Sequence, residues 1–279
     1  RHGSYCDVGD VDGDDRAAHW LRLEATRPLL GAGAVISHQS AALIHGIWLP
    51  DHLLGRVTIT RQRSVGGHLT PWVHTYVCPF DASDVVQIDG MAVMTRARTA
   101  LDLARTLSYP LGVGVVDAFL REGVTKDQLA QQVTAARRRP GNGKARSVVD
   151  FADPRSESMG ESESRVLMAR VRIPAPELQV EVYDASGRFV ARSDFGWRKA
   201  RLLGEFDGLV KDGRLLKPGQ SPTDVVVEEK RREERLRRVG WDVVRFMQPD
   251  LRQPAQFRAL IMDAYLAGVA RVAREGRAT

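Results

Sequence analysis

The sequence contains little of what disulfide-stapled, zinc-binding or membrane-spanning proteins depend on. Only two of its 279 residues are cysteines, Cys6 and Cys78, and they show no metal-ligand spacing. No stretch approaches eighteen consecutive apolar residues, so the sequence predicts no membrane-spanning segment. The opening residues are polar and an acidic stretch follows them, which differs from a secretory signal. We therefore expect a protein of a reduced, cytoplasmic compartment with no membrane partner.

Motifs that bind nucleotides are also missing. Neither GxxxxGK[ST] nor GxGxxG occurs, so no nucleotide cofactor is expected. The histidines show no HxxxH or HExxH order, which argues against a zinc site. His38 and His45 share one face of a predicted helix, where packing is the usual role of a histidine.

Length and charge indicate two soluble domains and an anionic partner. A chain of 279 residues is long enough for two cores, and 43% hydrophobic and 27% charged residues are typical of globular proteins. The formal charge of +6 favours an anionic partner such as nucleic acid. Arginine far outnumbers lysine, however, and genomic base composition can raise arginine without any such partner.

The N-terminal half mixes short helices and strands, which predicts a mixed α/β domain over residues 1–150. Ser37 and Gly46 should bound one helix as N-cap and C-terminal stop. Asp89-Gly90 predicts a tight turn between two strands. A basic stretch that becomes rich in Gly and Pro places the domain boundary at 137–156, although a short helix at its end is also expected.

Two runs in this half, Ser37–Ala42 with His45-Gly46 and Thr95–Asp102, carry a family resemblance. On these residues the region from about 28 to 135 resembles the middle domain of AbiEi-type antitoxin-like proteins. The resemblance implies a companion of regulators, with a cognate toxin or another protein as a possible partner. Arg1–Tyr5 is similar to the wing end of the winged-helix module that precedes this architecture in actinobacterial relatives, and an ordinary chain terminus is the alternative.

The C-terminal half shows a different order of elements. The patterns predict a helix at 161–171, strands at 178–183, 189–195 and 201–207, a helix from Ser221 to about 238, a strand at 241–246 and a closing amphipathic helix. The resulting order of core elements is α-β-β-β-α-β.

Asp194 and Glu205 stand eleven residues apart, at the facing ends of two predicted adjacent strands. Two such carboxylates can hold one Mg²⁺ or Mn²⁺, which would polarise a phosphate and lower the pKa of an attacking water. Asp207 should project on the same side of its strand as Glu205, about 7 Å away. The alternative is that these acids form ordinary ion pairs with Arg192, Arg198 or Arg201.

Six short motifs connect this half to a nuclease superfamily. In chain order they are Gly160-Glu161-Ser162, Pro176-Glu177-Leu178-Gln179, Ser193-Asp194-Phe195, Glu205-Phe206-Asp207-Gly208, Glu229-Lys230-Arg231-Arg232-Glu233 and Gly240–Arg245. The segment from about 156 to 251 resembles the PD-(D/E)XK superfamily, in particular the very-short-patch-repair-like endonucleases. The resemblance implies a restriction-endonuclease-like domain over 156–279 and a metal-dependent DNA endonuclease or nickase. It also implies that the helix-borne Glu161 holds a metal-bound water.

The usual Glu-x-Lys of that superfamily is absent, because Asp207 stands where the lysine should be. Lys211 and Lys230 are the candidates for a migrated lysine. Lys230 has the better physical argument, since its helix should pack across the strand ends, whereas Lys211 lies in a predicted loop. The departure supports an alternative function, a non-catalytic DNA-binding antitoxin-like regulator with a degenerate nuclease domain.

A basic helix face follows the acids. We expect Arg231, Arg235, Arg237 and Arg238 to contact nucleic-acid phosphates, with DNA as the partner. Glu233 and Glu234 can also pair with Arg237 and Arg238 at i+4, which would make the face simply a solvated one.

Overall fold

The computed structural model describes residues 14–62, 67–208 and 222–275, the side chains of 222–227 apart. The chain divides into two compact units, Arg1–Pro154 and Arg155–Thr279, called the first and second unit below. The predictions made for Arg1–Tyr5 and Lys211 lie outside the described residues. Within these residues no helix is both long and apolar enough to cross a membrane.

The first unit contains a six-stranded mixed sheet. Its strands are β1 (Val35–Ile36), β2 (Val57–Arg61), β3 (His68–Leu69), β4 (Val73–Val77), β5 (Val85–Ile88) and β6 (Met91–Met94). They lie in the order β3-β4-β2-β1-β6-β5, with parallel pairs β1–β6 and β2–β4 and antiparallel pairs elsewhere. The predicted turn between β5 and β6 is confirmed, since Asp89 and Gly90 both have positive φ, as a two-residue hairpin turn requires. The patterns missed β1 and β3, because two-residue strands show no alternation.

The described residues of this unit also form six α-helices. They are α1 (Asp15–Thr26), α2 (His38–Ile44), α3 (Arg96–Thr106), α4 (Tyr109–Arg121), α5 (Lys126–Ala135) and α6 (Asn142–Phe151). Ser37 precedes α2 as predicted, but its hydroxyl does not cap the helix. Thr60 on β2 donates to it instead, at 2.8 Å, and the ring of His38 lies 3.0 Å away. Tertiary partners have therefore displaced the local cap.

A buried ion network ties α3 to the sheet edge. The Arg98 guanidinium donates to Asp102 and Asp84 at 2.8 Å each and to the Pro79 carbonyl at 3.2 Å. Its side chain is 1% exposed. Burial of a charge at this depth is tolerated only when its donors are matched by acceptors, as they are here.

The buried His38 lies beside this network. Its ring stacks on Tyr76 with centroids 3.6 Å apart, and Tyr76 stacks in turn on His74 at 4.0 Å. Burial lowers the pKa of His38 to about 4, against the opposing charge of Asp102. His38 therefore packs as a neutral ring, and His45 is buried too, with Nε2 2.7 Å from the Met94 carbonyl. The predicted packing role of both histidines is confirmed.

The second unit follows the predicted α-β-β-β-α-β order. Its elements are α7 (Met159–Arg170), β7 (Glu177–Tyr183), β8 (Phe189–Trp197), β9 (Leu202–Asp207), α8 (Pro222–Arg238), β10 (Asp242–Met247), α9 (Gln248–Leu251) and α10 (Pro254–Glu275). The four strands lie in the order β10-β9-β8-β7, antiparallel except for the β9–β10 pair.

Each face of this sheet has its own apolar cluster. One cluster contains Phe195, Leu202 and Phe246 with Phe257 of α10. The other includes Leu203 and Leu236 of α8. Side chains alternate along β9, so Glu205 lies on the same face as Leu203, the face that α8 covers.

Gly160 fixes α7 against β9. A Cβ at this position would stand 2.0 Å from the Phe206 ring, so any larger residue would push the helix away from the strand. The ring of Phe206 also lies near that of Phe246, with centroids 6.2 Å apart. The close approach brings Glu161, the next residue of α7, to the end of the sheet where Asp194 and Glu205 lie.

Candidate active site

Asp194 occupies a gap between two strands. Regular pairing of β8 with β9 runs from Trp197–Leu202 to Phe195–Gly204. Beyond that point the Phe206 backbone N–H donates to Asp194 Oδ2 at 2.9 Å. The carboxylate thus replaces a ladder hydrogen bond, which fixes its position and leaves Oδ1 with no hydrogen bond from any described residue.

Glu205 is held by two guanidinium groups. Arg232 of α8 binds both of its carboxylate oxygens, with Nη1 3.1 Å from Oε2. Arg245 of β10 adds a contact of 3.2 Å to Oε2. Glu229, one turn before Arg232, accepts from both arginines, at 2.9 Å in the case of Arg232. The hydrogen bonds that Arg232 donates to Glu205 raise the pKa of Arg232, so this cation stays charged.

Glu161 serves first as part of a helix cap. Its carboxylate accepts from the Glu157 backbone N–H and from the Ser158 hydroxyl, at 2.8 Å each. The Ser158 oxygen in turn accepts from the Glu161 N–H. This reciprocal arrangement resembles a capping box, in which a serine and a glutamate three residues later satisfy the open end of a helix. A third donor, Gln179 Nε2, lies 3.1 Å from Oε2.

The three carboxylates are close enough to interact electrostatically. Burial raises the pKa of Asp194 to about 6, and the charges of Glu161, Glu205 and Glu157 add to that effect, while the Phe206 N–H opposes it. The pKa of Asp207 is also raised, again by burial first. Negative charges gathered in this way would be relieved by a cation.

The alternative of ordinary ion pairs is confirmed for Glu205, but the arginine partners predicted for these acids are wrong. Arg192, Arg198 and Arg201 pair with Glu157, Glu177 and Glu275. Arg232 and Arg245 take their place at Glu205. The sequence held one signal for Arg232, because it stands four residues before the buried Leu236 and so on the same face of α8.

The basic residues of α8 that were predicted as site residues make no described contact with the carboxylates of the candidate site. Lys230 is exposed, and no described contact brings it to the carboxylates. Arg231 and Arg235 are exposed as well. Arg237 and Arg238 pair with Glu233 and Glu234 at 2.6 and 3.8 Å, which is the internal pairing that the i+4 spacing offered as the alternative.

The fit of this site to a divalent cation rests on two carboxylates and one amide. Within the described residues, no group of three or more His, Cys, Asp or Glu side chains could hold a metal ion. Asp194 and Glu205 nevertheless offer hard oxygens, and the buried Gln179 Oε1 has no hydrogen-bond partner among the described residues. Carboxylate and amide oxygens are the ligands that Mg²⁺ and Mn²⁺ accept, so the residues fit such an ion if Glu205 exchanges Arg232 for it.

Comparisons with known proteins give relatives whose names state no activity. No family model matches the chain, and no solved structure matches it. Two curated relatives are uncharacterized proteins of Mycobacterium tuberculosis, from strains CDC 1551 / Oshkosh and H37Rv. Each is 28% identical over 242 residues, which cover 86% of this chain and 84% of the relative. The similarity therefore extends over parts of both units.

Proposed function

We propose that the second unit is a PD-(D/E)XK-like domain that cleaves or nicks DNA with a divalent cation, Mg²⁺ or Mn²⁺. One observation carries the proposal: Glu161 of α7, Asp194 of β8 and Glu205 of β9 lie at one end of the sheet, where burial raises the pKa of Asp194 and the charges of the two glutamates add to the effect. Carboxylates crowded in this way favour occupation by a hard cation.

The residues of the chain have distinct tasks in this reaction. Asp194 and Glu205 would hold the cation, and the Phe206 N–H keeps Asp194 in place. When bound, the cation supplies Lewis-acid activation of the phosphate and lowers the pKa of water. Arg232 and Arg245, which contact Glu205, would bind the phosphate, since a planar guanidinium stabilises phosphoryl oxygens by two parallel hydrogen bonds. They are the cations that compensate for the absent Glu-x-Lys.

Nicking of supercoiled plasmid tests this function. The full chain should nick in Mg²⁺ or Mn²⁺ and not in EDTA. Asp194→Asn should reduce the rate by more than about 100-fold, since even outer partners of metal ligands are worth roughly 10- to 100-fold. Asp242→Asn is the matched control, because Asp242 lies at the start of β10 and pairs with Arg271 at 2.9 Å. Equal nicking by the Asp194→Asn protein would refute the proposal.

A second function is favoured by the contacts of Glu205. Arg232 binds both carboxylate oxygens of Glu205, so Glu205 is not free to hold a metal ion. This arrangement favours a non-catalytic DNA-binding regulator. In that case the chain would bind duplex DNA equally well in EDTA and in Mg²⁺, and would nick in neither. The exposed Arg231 and Arg235 would then bind phosphates, and replacing either one by alanine would flatten the log–log salt dependence of DNA binding by about 0.9.

A further inference from the structure

Gln179 has a backbone conformation that strands do not normally adopt. Its φ is +52°, in the left-handed region. The other described non-glycine residues with positive φ are His38, Asp89, Arg172 and Arg201, which lie in turns or at the ends of elements, whereas Gln179 lies inside β7. A residue held in this way is strained and persists only where its surroundings enforce the conformation.

The kink changes which face β7 presents. Leu178 packs against the cluster around Phe195, while Val180 belongs to the cluster on the other face. In a regular strand these two residues would share a face. The twist between them directs the Gln179 side chain to α7, where Nε2 donates to Glu161 Oε2 at 3.1 Å.

The amide oxygen of Gln179 is then left without a partner. A carboxylate only accepts hydrogen bonds, so the NH₂ group must face Glu161 and the orientation of the amide is fixed. Oε1 is buried, and no described residue donates to it. An unsatisfied buried acceptor is destabilising, so the same residue carries a second unfavourable feature besides its strained backbone.

We propose that Gln179 positions the catalytic cation by offering Oε1 as a third oxygen beside Asp194 and Glu205. This inference rests on the proposed nuclease function. Leu178 and Val180 pair with Phe195 and Ser193, so Gln179 falls opposite Asp194 across the two strands.

Calorimetric titration of the metal-free full chain with MnCl₂ tests the inference. Gln179→Met keeps the length of the side chain and removes both polar atoms. It should weaken Mn²⁺ binding by about 10-fold or more. The unfolding midpoint of the metal-free protein is measured beside it, because the change removes the Nε2 donor to Glu161 together with the unsatisfied oxygen. Gln248→Met is the matched control. Gln248 donates at 2.8 Å to Glu163, which lies on α7 as Glu161 does, and this variant should leave Mn²⁺ affinity unchanged.

Gln179→Glu separates an oxygen ligand from a purely structural amide. It retains an oxygen and loses the N–H that binds Glu161, so the inference predicts Mn²⁺ affinity no weaker than that of the unchanged protein. Equal Mn²⁺ binding by Gln179→Met, or loss of binding in Gln179→Glu as severe as in Gln179→Met, would overturn the role of Gln179 and leave the nuclease proposal standing. Absence of Mn²⁺ binding in the unchanged chain would overturn both.

Discussion

The two arginine–carboxylate networks of this protein are similar in composition and differ in burial. In the first unit, Arg98 is 1% exposed and is surrounded by Asp84, Asp102 and a carbonyl group. In the second unit, the side chains of Arg232 and Arg245 are 22% and 32% exposed around Glu205. A guanidinium that is buried among fixed acceptors cannot exchange them for a ligand from solvent. A guanidinium that is partly exposed at the end of a sheet can exchange a carboxylate for a ligand, so we expect ligand binding at the second network rather than at the first.

Removing the buried arginine should produce the largest effect. Arg98→Met leaves Asp84 and Asp102 without their main cation, and loss of one partner of a buried ion pair typically costs about 3–5 kcal/mol. Hydrogen exchange of peptides from α3 and β6 in the full chain should report this loss of unfolding free energy. The control is the triple variant Arg98→Met, Asp84→Asn, Asp102→Asn. It removes the three charges together and should recover much of the stability. A loss well below about 3 kcal/mol in the single variant would contradict the structural role.

Acid should weaken the first unit through His38. Its folded pKa of about 4 lies below the unfolded value of 6.5, so its contribution is complete above pH 6.5 and is lost as the pH falls to about 4. The full shift corresponds to about 3 kcal/mol. His38→Asn removes the titration and tolerates the φ of +48° at this position, because asparagine is enriched in the left-handed region. Hydrogen exchange of α2 and β4 peptides should depend less on pH in this variant, and an unchanged dependence would refute the assignment.

Replacing the partly buried Arg232 should affect stability less, and ligand binding more, than replacing Arg98. Arg232→Gln should lower the unfolding free energy by about 1 kcal/mol, since solvent and the neighbouring Arg245 compensate Glu205. Removing a competing cation should also tighten Mn²⁺ binding to the metal-free protein. Arg237→Gln is the control, because the exposed pair of Arg237 with Glu233 is worth a few tenths of a kcal/mol and lies outside the site. Weaker Mn²⁺ binding in Arg232→Gln would indicate that the Arg232 network has a structural role, as the Arg98 network has. It would contradict the proposed difference between the two networks.

The sequence was sufficient for features that depend on neighbours along the chain. Alternation of apolar residues located most strands, Asp89-Gly90 located a turn, and successive patterns predicted the order α-β-β-β-α-β of the second unit. These features arise from local backbone preferences and from the periodicity of side-chain direction, both of which a sequence displays directly.

The partners of the site residues were decided by tertiary structure alone. Glu205 pairs with arginines of α8 and β10, Gln179 reaches Glu161 on another element, and Arg98 reaches Asp84 at the sheet edge. No pattern specifies which of many arginines will face a given carboxylate, because that choice depends on how α8 and β10 pack beside β9. The kink at Gln179 is likewise invisible in the sequence, since glutamine rarely adopts a positive φ and its neighbours Leu178 and Val180 join apolar clusters on opposite faces of the sheet only in the folded chain.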